Sequence, residues 1–512
     1  MKKKNELKLV LFLLFLLVGW KCSENILKYP KQTDWVTKGM EQIYAKPNYY
    51  DVIWAGTSMA VTNVSAEELY LNYGIASRSI GEPEQMFFLS YYALKEALIY
   101  QKPKVVFLDV QAIFYSEERE KSLFDANEQQ AGHFTLDSMR NGKNKYDAVT
   151  EIKKIHASST YEEYFSKMYY NHSNWEEISE DNFKFTQGQN MILGNRSLTD
   201  ILENVSSDNY VSWNDNTMDE AYILEKNIVY LEKIINLCRK NKVELVLIRG
   251  CGSKIWSWQQ YNAIINLANR YKVDYLDLSI VEKQIGFDWS VDSEDDVHHN
   301  IVGTKKWTDF LGEYLVKKYN FIDRRKDNKY FEYEENQDRY ESILNLVEQK
   351  ISLLKSNHFK QFLETISNME KENVAILLSI NGEINLTTTG RSLLEEIGFH
   401  MQVNSEKIVG YCAVLDDGKI LIEHKDTDEE ISNCLSDGTI FEISSKIENS
   451  SIKINNQELI QGGKGINVVV YNKKCKELVS SVFFNTTSNN AKVSRINSAG
   501  EVESEIEINC WK

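Results

Sequence analysis

Short apolar runs alternate with amphipathic stretches along residues 47–320. Asp51-Val-Ile-Trp-Ala55 is an apolar run closed by Gly56, the pattern of a buried strand. Val64 to Tyr73 has helical spacing, and Gly74 to Ile80 reads as a short strand. Gln85 to Gln101 places Phe88, Tyr91, Tyr92, Leu94 and Leu98 on one helical face. Pro103 marks the turn before Val105-Val-Phe-Leu108, a second buried strand. Further on, Asp219–Asn241 predicts a helix, Val243–Ile248 a strand and Gln259–Tyr271 a helix. Val273–Asp277 predicts a strand and Thr304–Tyr319 a closing helix. Strands alternating with helices imply an α/β domain with a parallel sheet.

Two stretches break the rhythm. Residues 116–215 are rich in Asn, Ser, Glu, Tyr and Lys and read as an insertion. Residues 323–345 are dense in charge, with Arg324-Arg-Lys-Asp-Asn-Lys and then Glu332 to Arg339, and read as a linker. Ile343 to Met369 regains helical periodicity. From Val374 the texture becomes short strands: Val374–Leu378, Lys407–Val414, Ile440–Ile443 and Ile466–Tyr471, interrupted by one helix at Thr389–Ile397. The expected layout is an N-terminal anchor or signal over 1–24, an α/β domain over 45–322 and a charged linker with a helix over 323–370. A β-rich α+β domain over 371–512 closes it.

Composition narrows the class. A chain of 512 residues exceeds what a single core supports. With 59 Lys+Arg against 75 Asp+Glu and a net charge of −16, it lacks the basic stripe that tracks phosphates, which argues against a nucleic-acid partner. The N-terminus reads Met1-Lys-Lys-Lys, followed by a nearly unbroken apolar run from Leu9 to Trp20. That order fits an uncleaved membrane anchor, with a cleaved signal as the alternative, and places the rest of the chain on the extracellular face. Twelve apolar residues are short of the ~20 that a span needs, and only with Leu7, Lys8 and the stretch after Lys21 added does the run reach a tilted, snorkelling helix. The seven cysteines form no disulfide framework and no metal-ligand spacing; a Cys412–Cys434 bridge is possible in an exported domain. No metal and no cofactor is called for.

Two segments carry candidate chemistry. The first strand delivers Gly56-Thr57-Ser58 at its carboxyl end, where open α/β sheets hold their ligands. Just before the closing helix comes Asp295-Asp296-Val297-His298-His299-Asn300-Ile-Val-Gly303. An Asp three residues before a His can turn back and orient the imidazole, which then serves as base for a serine. Residue types alone leave Asp295/His298 and Asp296/His299 both open.

Taken together and in this order, the two segments resemble the SGNH/GDSL hydrolase superfamily over roughly residues 47–320. Its nucleophile motif Gly-Asp-Ser is similar to Gly56-Thr57-Ser58, and its Asp-x-x-His-x-Asn-x-x-Gly pattern to Asp295–Gly303. The resemblance implies a three-layer SGNH-like domain with a catalytic triad of Ser58, Asp295 and His298, with Asp296/His299 as the alternative pair. It also implies an oxyanion hole from Ser58, Gly81 (in Ser79-Ile80-Gly81) and Gln111, with Gln85 as a rival amide donor. Tyr91 to Asp109, and more loosely His172-Ser-Asn-Trp175, are similar to the surface-polysaccharide branch, which includes proteins of alginate O-acetylation and teichoic-acid D-alanylation. The implied activity is a serine esterase or O-acyltransferase working on a cell-surface glycan or acylated polysaccharide. The alternative is a non-catalytic carbohydrate-binding protein on a degenerate hydrolase scaffold.

Residues 374–487 resemble the interleukin-like EMT inducer domain. The resemblance rests on Val374–Gly382, Gly410, Cys412–Gly418, Gly463-Lys-Gly465-Ile-Asn467-Val-Val-Val-Tyr-Asn472 and Val482-Phe-Phe-Asn-Thr486. It implies a carbohydrate-binding module. Gly465-Ile-Asn467 also has a purely structural reading, as a tight turn into a buried strand.

Overall fold

The computed structural model describes residues 2–27, 39–124, 132–183, 191–201, 218–250, 256–385, 388–400, 407–425, 430–445, 450–460, 464–485, 492–497 and 501–507. The chain divides into two compact units, residues 1–198 with 206–340, and residues 199–205 with 341–512.

The first unit is α/β. Its strands are β1 (Val52–Ala55), β2 (Ser77–Ser79), β3 (Val105–Asp109), β4 (Glu244–Arg249) and β5 (Asp274–Asp277). They form one sheet in the order β2-β1-β3-β4-β5, and every pair is parallel. Its main helices are α1 (Lys2–Ile26), α2 (Met59–Thr62), α3 (Ala66–Tyr73), α4 (Phe87–Tyr100), α5 (Glu225–Asn241), α6 (Trp258–Tyr271) and α7 (Ile301–Lys318).

Alternation along each strand sends neighbouring side chains to opposite faces. Ile53, Ala55, Val106, Leu108, Leu245 and Leu247 face a core shared with α4, α5 and α6. Val52, Trp54, Val105, Phe107, Val246 and Ile248 face a second core shared with α3 and α7. Trp54 stacks on Phe107 across β1 and β3, with ring centroids 4.4 Å apart. Because the strands are apolar on both faces, only a sheet covered by helices on each side buries them. Local signals set the helix ends. Ser65 caps α3 by accepting from the Glu68 N–H, and Gly74 closes it in the left-handed region at φ 66°.

Two expectations shift. Residues 219–224 are not helical: the Ala221 N–H donates to the Gln259 carbonyl, and Asn262 Nδ2 to the Asp219 carbonyl. These bonds to the start of α6 replace a first helical turn. The expected charged linker over 323–345 is packed structure. Arg324 forks onto Asp51 at 2.9 Å and 2.6 Å, and Tyr330 and Tyr333 are buried in the first unit's core. Tyr333 Oη donates to the Ser77 carbonyl at 2.9 Å. Helix α8 (Phe331–Leu354) begins here, and the unit boundary falls between Tyr340 and Glu341. The tyrosines supply the apolar bodies that the surrounding charges obscure in the sequence.

The insertion holds short helices at Glu117–Ser122, His133–Leu136, Lys143–Ile155, Tyr161–Phe165 and Lys167–Asn171, and a small ribbon at Met191–Ile192 and Asn195–Arg196. Helix α1 exposes Leu9 to Val18 and Trp20. Among the described residues, no helix is long and apolar enough to cross a membrane.

The second unit is β-rich. Strands β6 (Val374–Asn385), β7 (Lys407–Asp416), β8 (Lys419–Lys425), β9 (Ile431–Cys434), β10 (Ile440–Ser445), β11 (Ser450–Ile454), β12 (Gln457–Glu458), β13 (Gly465–Asn472), β14 (Glu477–Asn485), β15 (Lys492–Ile496) and β16 (Val502–Glu507) make two antiparallel sheets. The larger has the order β8-β7-β6-β13-β14-β15-β16, the smaller β9-β10-β11-β12. One face of the larger sheet (Ile376, Leu378, Val468, Val470) packs on α9 (Phe359–Asn368) and α10 (Thr388–Ile397). The other (Ala375, Leu377, Val469, Tyr471) packs on the small sheet. Cys412 is a buried free thiol and Cys434 an exposed one, so the bridge considered between them is not formed. Gly465 lies where a Cβ would strike the Phe484 carbonyl at 2.3 Å, and Asn467 Nδ2 donates to Ser450 Oγ at 3.2 Å. Both residues therefore have structural work.

Candidate active site

The order β2-β1-β3-β4-β5 reverses direction between β1 and β3, and the carboxyl ends at that reversal form the crevice where such sheets hold ligands. Gly56 follows β1 with φ +133°, and a Cβ there would lie 2.6 Å from Asp109 Cβ. Only glycine permits this turn, which brings Thr57 and Ser58 over the end of β3. Thr57 Oγ1 donates to Asp109 Oδ2 at 2.7 Å. The Asp109 carboxyl is fully buried, and desolvation pushes it above the usual carboxylate range against the bond from Thr57. Thr57 thus anchors the turn that carries Ser58 to β3.

Ser58 Oγ lies 2.8 Å from His298 Nε2, and His298 Nδ1 lies 2.8 Å from Asp295 Oδ2. The other Asp295 oxygen accepts the N–H groups of Val297 at 2.7 Å and His298 at 2.6 Å. Burial raises the Asp295 carboxyl, but the bonds from His298 and these N–H groups outweigh it, and the net position is below the ordinary carboxylate value. One carboxylate therefore shapes the loop and orients the imidazole together. The structure brings Ser58, His298 and Asp295 into a single hydrogen-bonded chain.

The alternative pair does not reach Ser58. His299 is buried between Phe287 and Trp289, at ring-centroid distances of 4.7 Å and 5.9 Å, with neither ring nitrogen hydrogen-bonded among the described residues. Burial pushes its imidazole well below the usual range, so it stays neutral. Asn300 and Gly303, the last two residues of the motif, act on the backbone. Asn300 caps α7 by accepting the N–H groups of Val302 and Gly303, and its Nδ2 donates to the Val291 carbonyl at 2.7 Å. A Cβ on Gly303 would lie 2.1 Å from the Asp292 carbonyl oxygen.

The expected oxyanion donors fall into three situations. Ser58 caps the short helix α2, so its N–H has no acceptor within that helix. Gly81 sits against the turn that carries Ser58, where a Cβ would meet the Gly56 carbonyl at 2.9 Å, but its N–H donates to Ser79 Oγ at 3.1 Å. Gln111 opens the helical turn after β3, half-buried, with its N–H donating to Asp109 Oδ1 at 3.3 Å. Gln85 is removed as a rival: its amide is buried, donating to Thr135 Oγ1 at 2.8 Å and accepting from Ser90 Oγ at 2.9 Å.

Two residues that the sequence did not flag support this site. Asn63, buried at the end of α2, accepts the His299 N–H at 3.1 Å and donates to the carbonyls of Gly250 and Val297. It ties the serine helix to the end of β4 and to the histidine loop. These three partners are 187 to 236 residues away, so no local spacing could reveal the link. Arg249 at the end of β4 is fully buried, in the field of Asp277 and Asp109, with its guanidinium 4.4 Å from the Trp256 ring centroid.

The second unit has a cleft of about 350 Å³ lined by residues that include Asp200, Lys350, Glu477, Ser480, Arg495 and Asn497. Its Lys350 is paired with Glu477 at 2.6 Å. Among the described residues, no group of three His, Cys, Asp or Glu side chains could hold a metal ion. No protein-family model matches the chain, and no curated protein sequence aligns with it significantly.

Proposed function

We propose that this protein is an extracytoplasmic serine esterase or O-acyltransferase of the SGNH/GDSL type, acting on acyl esters of a cell-surface glycan. The observation that carries the reading is the Ser58–His298–Asp295 chain, with both links at 2.8 Å, at the carboxyl edge of a parallel sheet. In the first step His298 Nε2 takes the Ser58 hydroxyl proton as Oγ attacks the ester carbonyl. Collapse of the tetrahedral adduct breaks the bond to the glycan oxygen, which receives the proton from His298, and leaves an acyl-serine. Water or a second glycan hydroxyl then attacks that acyl group by the reverse proton path. Asp295 holds the Nδ1 proton throughout and stabilises the imidazolium. The resemblance of residues 374–487 to a carbohydrate-binding domain supplies the glycan as substrate class, and the N-terminal lysines and apolar run supply the membrane-anchored, extracellular placement.

A fluorophosphonate probe tests the chemistry. Wild type should be labelled at Ser58, and the Ser58→Ala chain should take no label. Absence of label on wild type, under conditions that label a known esterase, would remove the enzyme reading. One observation favours the non-catalytic alternative: the Gly81 N–H is engaged by Ser79 Oγ. An unlabelled wild-type chain that still binds a glycan would support that alternative.

A further inference from the structure

We propose that the insertion at residues 165–183 is a foot that docks on the membrane surface beside helix α1, so that the first unit is held to the bilayer at two points. This rests on the membrane-anchored placement proposed above.

Helix α1 has no charged residue from Leu9 to Trp20, and Leu9 to Val18 are exposed at every position. A helix apolar on all faces needs an apolar medium on all faces, which a protein groove does not offer and acyl chains do. Twelve residues rise only ~18 Å, against ~30 Å of hydrocarbon in a bilayer. An anchor this short holds weakly alone, and stable attachment of such a segment calls for a second membrane contact.

The structure places that contact where α1 ends. The last carbonyls of a helix lack intrahelical partners. Here the insertion supplies them: Asn174 Nδ2 donates to the Leu27 carbonyl at 2.9 Å and Asn182 Nδ2 to the Ile26 carbonyl at 2.8 Å. Both asparagines are buried, while large apolar side chains next to them point to solvent: Trp175 beside Asn174, Phe183 beside Asn182, and Ile178 between. A largely apolar cleft of about 530 Å³ opens between Trp20 and Phe165, Met168, Tyr169 and His172, with Glu162 and Ser166 also in its lining. Tryptophan and tyrosine at the exit of an apolar helix match the chemistry of the headgroup–acyl boundary, with an apolar ring and a polar edge. Lys21, also at the exit, is exposed and paired with Glu24 at 2.7 Å. The occupant that fits is therefore a phospholipid surface, with acyl chain or glycerol backbone filling the cleft.

The test uses the full chain in vesicles of phosphatidylcholine and phosphatidylglycerol whose acyl chains carry bromine near the headgroup. An environment-sensitive fluorescent amino acid is placed in turn at Leu13 in α1, at Ile178 in the foot and at Ile99, an exposed residue of α4. The expected result is quenching of at least about twofold at positions 13 and 178 and none at position 99, as interfacial insertion by a few ångströms requires. Quenching at 13 without quenching at 178 overturns the foot and leaves the anchor standing. Quenching at neither overturns both. Equal quenching at 99 and 178 also overturns the foot, since it marks unspecific adsorption.

Discussion

Replacing Asn63 by alanine tests how the site is held together. The side chain joins three segments: the end of α2, the end of β4 and the 297–299 loop. On its loss Thr62 Oγ1, which donates to Asn63 Oδ1 at 2.7 Å, can turn its one proton to the Ser58 carbonyl at 3.1 Å instead. The substitution orphans the buried His299 N–H and the Gly250 carbonyl. Each such group costs ~1–2 kcal/mol, so the first unit should lose about 2–4 kcal/mol. The loop that carries His298 would also be free to drift from Ser58. A shift of ~1 Å at a reacting pair is worth on the order of 100-fold in rate. Urea unfolding followed by near-ultraviolet circular dichroism reads the first number, and the rate of fluorophosphonate labelling at Ser58 reads the second. Asn63→Asp keeps an acceptor for the His299 N–H and should recover part of the labelling rate. Unfolding within about 0.5 kcal/mol of wild type, together with unchanged labelling, would refute the clamp, since surface substitutions alone stay within that range.

Asp295→Asn should lower the labelling rate by on the order of 10³-fold or more while the chain stays folded, because the imidazole loses its orienting carboxylate. Since the folded Asp295 carboxyl lies below its ordinary 3.8, its contribution is complete above that value and fades only as the pH falls through the lower, folded one. Hydrogen exchange at Val297 and His298 should accordingly stay slow down to that region and quicken below it. Glu67, fully buried in α3, is the opposite case: burial pushes its carboxyl from 4.5 up to about 8. The folded state holds a proton there that the unfolded chain releases, so stability falls as the pH rises across that window, and Glu67→Gln should flatten the fall by on the order of 5 kcal/mol. Gly303→Ala should destabilise the first unit by about 1–3 kcal/mol and slow labelling, as its Cβ would sit 2.1 Å from the Asp292 carbonyl oxygen and push α7 off the histidine loop. A thermal melt with parallel labelling checks it.

Apolar runs bounded by Gly and Pro made the parallel sheet legible, because a strand buried on both faces has no polar position to disguise it. Ser58 and the 295–303 segment were legible for a similar reason: Gly56, Asn300 and Gly303 are local devices that shape their own turns, and local devices leave local spacing. The stretch from Arg324 to Tyr340 was not legible. Its charges announce solvent, while burial of Tyr330 and Tyr333 depends on Tyr49, Asp51 and Ser77 some 250 to 280 residues earlier.

By itself, then, the sequence determined most of the segments that become strands and helices, and that Ser58 and an Asp/His pair within 295–299 can turn toward the sheet edge, since those follow from periodicity and short-range turns. Only the tertiary structure decided between His298 and His299. They are neighbours of the same type, and one faces Ser58 while the other is sealed between Phe287 and Trp289. Only it revealed Asn63, whose partners are brought within hydrogen-bond reach by folding of the whole first unit. A contact between distant segments has no period along the chain, so it exists as information only once the chain has packed.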